Sequence, residues 1–257
     1  MTYFDCVGFH LERASDLQAL AEEAARLGGP LPTEPGFGLR RWEVGAGVEL
    51  WAEVGPSGQT LGVLPFFRPA LSHRAAVVAV GQDPDHPEEG WAELWLDPHD
   101  PEEPYSGRFP LVCDLVDYLC VARLLQELPA TVDVQLVCFA DSVTAYQDAL
   151  DWAAGQKATG FRMPPHTFAS TWHTAVDEGP DRERPEATAW LAGSVVEVER
   201  RTNPRTQVAF LRLVVDVGGL AVEVVAPEPL ASGVQVGWLV QAGCWVLGRF
   251  PALEVAG

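Results

Sequence analysis

Lysine is almost missing from this chain: Lys157 is the one lysine among 257 residues, and the other 16 basic side chains are arginines. A P-loop or a Schiff-base mechanism would have to use Lys157, whose surroundings, Gly155-Gln-Lys-Ala-Thr159, lack the upstream glycine of a Walker loop. Positive charge is scarce in general, with 17 basic residues against 36 acidic ones, a formal charge of -19 and a pI near 4.5. That balance argues against counterion-release binding to nucleic acid and against docking on anionic lipid. Gly-x-Ser-x-Gly, His-Glu-x-x-His and Cys-x-x-Cys are all absent, which removes the nucleophile elbow, the zincin helix and the dithiol motif. The five cysteines, Cys6, Cys113, Cys120, Cys138 and Cys244, are odd in number and unclustered, as expected of reduced thiols in a cytoplasmic protein. Apolar runs of 18 residues are missing too, and the first residues carry no basic region, so neither a membrane span nor a secretory signal is expected.

What the chain does contain is 47% hydrophobic and 21% charged residues, the make-up of a soluble globular protein. Tyr3 to Leu11 reads as a strand. A helix follows from Ser15, with Leu17, Leu20, Ala21, Ala24 and Leu27 on one stripe, Ser15 and Gln18 as a capping box and Gly28-Gly29 as a left-handed stop. Strands are expected over Leu39–Val44, Val48–Val54 and Thr60–Phe67, and edge strands over Val77–Val80 and Ala92–Leu96. A helix is predicted over Asp114–Leu128, a buried strand over Val132–Phe139, and a second helix from Asp141 or Ser142 to Gly155. The recurring strand-plus-helix order, residues 3–28 and 132–155, suggests a degenerate β-α duplication.

Residues 160–186 lack periodicity and read as a linker. Beyond them come five expected strands: Leu191–Arg200, Val208–Val217, Leu220–Ala226, Val234–Val240 and Cys244–Phe250. Glycines at the corners suit a small closed barrel. Gly193-Ser-Val-Val, Arg201-Thr-Asn-Pro-x-Thr, Phe210-x-Leu-x-Val, Gly218-Gly, Val224-Val225 and Gly237 resemble an OB-fold over this last quarter. The whole chain is similar to a type of uncharacterised bacterial protein that joins an α+β N-terminal part to such a barrel. The fold expected is therefore α+β: an acidic domain over 1–159, a linker over 160–186 and an OB-like barrel over 187–257. The barrel carries five arginines against six acidic residues, so nearly all the negative charge lies upstream. Its candidate binding face is Arg200, Arg201, Asn203, Arg205, Phe210, Trp238 and Trp245, the cationic and aromatic set a single-strand binder would use.

Two constellations suggest a divalent metal. Asp83-Pro-Asp85-His86 and Asp97-Pro-His99-Asp100 place carboxylates and imidazoles in an acidic segment free of Lys and Arg, although no EF-hand spacing is present. The order strand, helix, three strands is similar to the module of the vicinal-oxygen-chelate enzymes. That resemblance implies metal ligation by His10 on the first strand and Glu49 or Glu53 on a later one, but no matching second module is evident. The leading expectation is a non-enzymatic binding or interaction protein for a protein or small-molecule partner, with no cofactor. The alternatives are a metal-dependent small-molecule enzyme and, through the barrel, a single-stranded nucleic-acid binder. Homo-oligomerisation is left open.

Overall fold

The computed structural model describes residues 2–33, 36–100, 102–123, 125, 127–159, 163–174 and 185–254. The chain is α+β and mostly β, 48% strand against 20% helix. It opens on a 3-10 turn, Tyr3–Val7, where a strand was expected. Asp5 decides this locally, because its carboxylate accepts the Thr2 N–H and caps the turn. Helix α1 (Ala14–Leu27) follows the apolar stripe, burying Leu20, Ala21 and Ala24. Its N-terminal N–H groups at Glu12 and Arg13 are met by Asp16, not by the expected Ser15 box, and Gly28 ends it in an extended rather than left-handed conformation.

Strands β1 (Gly29–Leu31), β2 (Gly38–Gly45), β3 (Val48–Val54) and β4 (Thr60–Phe67) form an antiparallel four-stranded sheet in sequence order. Helix α1 packs on β2, β3 and β4. The other strands are β5 (His73–Gln82), β6 (Gly90–Leu96), β7 (Phe109–Leu115), β8 (Ala130–Tyr146), β9 (Thr167–Ser170), β10 (Thr188–Thr202), β11 (Ala209–Asp216), β12 (Ala221–Pro227) and β13 (Leu239–Arg249). All nine belong to one sheet. The sheet therefore runs across residues 160–186 and does not stop at the expected boundary; residues 175–184 of that linker lie outside the described residues.

Two expected helices change accordingly. Only α2 (Tyr118–Val121) forms in the first stretch, because Asp114 and Leu115 belong to β7. Strand β8 continues through Tyr146, displacing the second helix to α3 (Ala149–Thr159), with Gly155 inside it. Short turns α4 (Thr171–Thr174), α5 (Glu228–Ala231) and α6 (Pro251–Glu254) complete the chain. With no strand at 3–7, the supposed β-α repeat of residues 3–28 is not present in that form.

A different repeat is visible in the pairings. Strand β10 pairs with β11, β11 with β12, β12 with β8, β8 with β13, and β13 back with β10, a closed cycle of five that is the second in chain order. Strand β5 pairs with β6, β6 with β7, β7 with β13, β13 with β8, and β8 back with β5, another cycle of five and the first in chain order. Both cycles share β8 and β13, and the large apolar cluster fills their interiors. Gly193 lets β10 pass from β13 to β11, since a Cβ there would lie 2.3 Å from the Asp216 carbonyl oxygen. In the parallel pairings Asp114 stands opposite Leu247 and Glu223 opposite Val137. Leu247 and Val137 are themselves partners across β8 and β13. The cycles are thus related by an approximate two-fold axis that makes Asp114 the counterpart of Glu223.

The four-stranded sheet and α1 cover the outside of this double cycle along that axis. Val137 and Leu247, and likewise Val116 and Val225, are symmetric pairs that pack with Val48, Leu50, Trp51 and Phe66 in the second apolar cluster.

Candidate functional site

The expected barrel face is mostly spent inside the molecule. Asn203 donates from Nδ2 to the Val7 carbonyl at 2.7 Å, and Arg201 donates to the Ala46 carbonyl at 2.9 Å. Arg205 forks onto Glu23 of α1 at 3.1–3.3 Å. Phe210 is fully buried against Phe67, with ring centroids 6.0 Å apart, and Trp245 packs on Tyr3 while donating to Asp114 at 2.7 Å. Gly8 permits this approach, because with φ +77° a Cβ there would sit 2.9 Å from the Asn203 Cβ. Arg200 instead pairs with Glu228 at 2.6 Å on the surface, and half-buried Trp238 lies in the turn before β13. The face that would stack bases holds the N-terminal unit.

The metal candidates are not brought together. Asp83 uses Oδ1 to accept the Asp85 and His86 N–H groups at 2.8 and 3.0 Å. Asp100 accepts the Glu102 N–H at 2.9 Å, His99 meets the Ser106 carbonyl at 2.8 Å, and Asp97 pairs with Arg108 at 3.6 Å. These two loops lie at opposite ends of β6, about 20 Å apart for a seven-residue strand. Glu49 is buried against Arg249 (3.3 Å), Arg68 (3.5 Å) and the Trp51 indole (3.1 Å), its Oε2 accepting from the indole while its Oε1 makes no hydrogen bond. Burial raises its carboxyl above the usual range, offset by Arg249. Glu53 points with Glu49 and Trp51 toward the double cycle, where Glu88 and Glu89 are the charges that act on it. Among the described residues no group of three His, Cys, Asp or Glu side chains could hold a metal ion.

His10 has a different setting. Its Nδ1 lies 2.8 Å from Asp5 Oδ1, and its Nε2 is 3.7 Å from Glu12. The Asp5 hydrogen bond raises the imidazole above its ordinary pKa. This pair lines a pocket of about 670 Å³ together with Val208, Ala209, Pro227, Pro229 and Leu230. Three distant stretches build it: the N-terminal turn, the start of β11, and the end of β12 with α5. Asp5 is held by Thr2, so the neutral imidazole would donate from Nδ1 and present Nε2 as an acceptor. Among the described lining residues there is no serine, threonine, cysteine or lysine. Of this set only His10 was singled out from the sequence. Asp5 carried no motif, and Val208 and Leu230 are ordinary apolar residues until the fold joins them.

Compared with family models, curated proteins and solved structures, the chain matches none of them.

Proposed function

We propose that this protein acts by binding, through the pocket between the Asp5–His10 pair and the end of the β11–β12 hairpin. One observation carries the reading: a mostly apolar pocket of about 670 Å³ has one hydrogen-bonded polar pair in its lining, the usual build of a small-ligand site. The fitting ligand has an apolar body for Val208, Pro227 and Leu230 and one polar group for His10. The cycle β10–β11–β12–β8–β13 supports an OB-like reading of this framework, with three consecutive strands, a short helix and a parallel closing strand. In this reading the closing strand, β8, comes from upstream of the linker. The stacking face is occupied internally, which favours a pocket ligand over a nucleic-acid strand. Buried thiols at Cys6, Cys113, Cys138 and Cys244 suit a reducing cytoplasmic setting.

The test is titration with an apolar fluorescent probe such as anilinonaphthalene sulfonate. One saturable site is expected, lost in Ala209→Trp, which fills the cavity, and altered in affinity by His10→Ala. No saturable binding, or binding indifferent to Ala209→Trp, overturns the assignment.

A further inference from the structure

The walls of the His10 pocket are aliphatic. Val208, Ala209, Pro227, Pro229 and Leu230 supply short chains and proline rings, and among the described lining residues there is no aromatic side chain. A planar ring would find nothing to stack on. The apolar body that fits is a flexible aliphatic one, held by the area it removes from water. Val208, 42% exposed, has the most surface left to cover.

The polar end is set by His10 and its neighbours. Both oxygens of Asp5 are occupied: Oδ2 by the Thr2 N–H at 2.5 Å and the Thr2 hydroxyl at 3.3 Å, and Oδ1 by His10 Nδ1 at 2.8 Å. The open nitrogen of the imidazole is therefore Nε2. It makes no hydrogen bond with a described residue and lies 3.7 Å from the Glu12 carboxylate. The Glu12 side chain is 70% exposed and has no other ion pair among the described residues. The chain thus sets a solvated carboxylate, easily displaced, beside Nε2. The next carboxylate on the rim, Glu228 beside Pro229, is taken by Arg200 at 2.6 Å.

We propose that the ligand of this pocket is an aliphatic monocarboxylic acid of medium chain length, its carboxylate replacing Glu12 at His10 Nε2 and its chain lying on Val208, Pro227, Pro229 and Leu230. The assignment rests on the pocket reading above and adds the chemical class. With Nδ1–H given to Asp5, a proton at Nε2 turns that nitrogen into a charged donor. An entering carboxylic acid can supply this proton itself: it passes from the acid oxygen to Nε2 and leaves an imidazolium and a carboxylate. The charge-assisted hydrogen bond that joins them is about twice as strong as the neutral bond an alcohol would make.

The experiment is calorimetry on the full chain at pH 6.5 with decanoate, decanol and decylamine, each below its micelle concentration. Decanoate is expected to bind one site about tenfold more tightly than the other two. Octanoate should bind about tenfold more weakly than decanoate, having two fewer methylenes to bury. His10→Gln keeps a neutral hydrogen-bonding group and removes the charge, so it should erase the preference for decanoate over decanol. Glu12→Gln removes the competing carboxylate and should tighten decanoate about threefold. The proposal is overturned if decanol or decylamine binds as well as decanoate, or if His10→Gln, folded by circular dichroism, keeps the preference. Should His10→Gln not fold, Glu12→Gln decides, an unchanged or weakened decanoate affinity overturning the idea. Binding of decanol or the fluorescent probe that is lost in Ala209→Trp but shows no preference for the acid sinks this inference alone. Absence of binding by all of them sinks the pocket reading as well.

Discussion

The two five-strand cycles have the same pairing scheme, share β8 and β13, and treat the N-terminal unit differently. Over the second cycle the contact is made by saturated polar groups and large aromatics: Glu223 with Arg212 and two backbone N–H groups, Asn203 with the Val7 carbonyl, Phe210 on Phe67. Over the first cycle the position symmetric with Glu223 is Asp114, which accepts from the Trp245 indole at 2.7 Å. The same pairing scheme thus carries a buried arginine–glutamate pair in one cycle and an aspartate bonded to an indole in the other.

The sharpest way to break this contrast is to damage the second cycle. Glu223→Ala should cost about 4 kcal/mol in urea unfolding, since it strands a buried guanidinium and two N–H groups. A cost near that of a surface change would mean the joint does not depend on this network. The symmetric change should behave otherwise. Asp114→Asn is expected to raise stability at pH 7, by up to about 3 kcal/mol. It can still accept from Trp245 and discards a carboxylate that burial disfavours. It should also flatten the acid side of the pH profile below about 6, where Asp114 takes up its proton. The smallest effect belongs to Arg205→Ala. Its pair with Glu23 is half exposed, so a loss under about 1 kcal/mol is expected from paired melts in low and high salt. A larger loss would move the weight of the joint from buried groups to its rim.

The sequence alone determined the local elements whose periodicity is strong. The stripe Leu20, Ala21, Ala24 fixed α1, and the expected strands Leu39–Val44, Val48–Val54 and Thr60–Phe67 matched β2, β3 and β4 almost to the residue. Alternation likewise gave β10, β11 and β12. Within the site, His10 was legible as an imidazole in an unusual place, and Glu223 as a charge inside an apolar strand was legible but passed over. Periodicity could not show that β8 closes both cycles. A strand's pattern records which face is buried, not which strands flank it, and Val132–Phe139 reads alike in either sheet. Nor could it show that Arg201, Asn203, Arg205 and Phe210 face their own N-terminus, because a cation beside an aromatic looks the same whether its partner is a ligand or the chain itself. The counterparts Glu223 and Asp114, and the walls Asp5, Val208 and Leu230, are neighbours only through contacts between residues far apart in sequence. Those contacts were decided by tertiary packing, which sets burial and charge environment where local pattern sets only conformation.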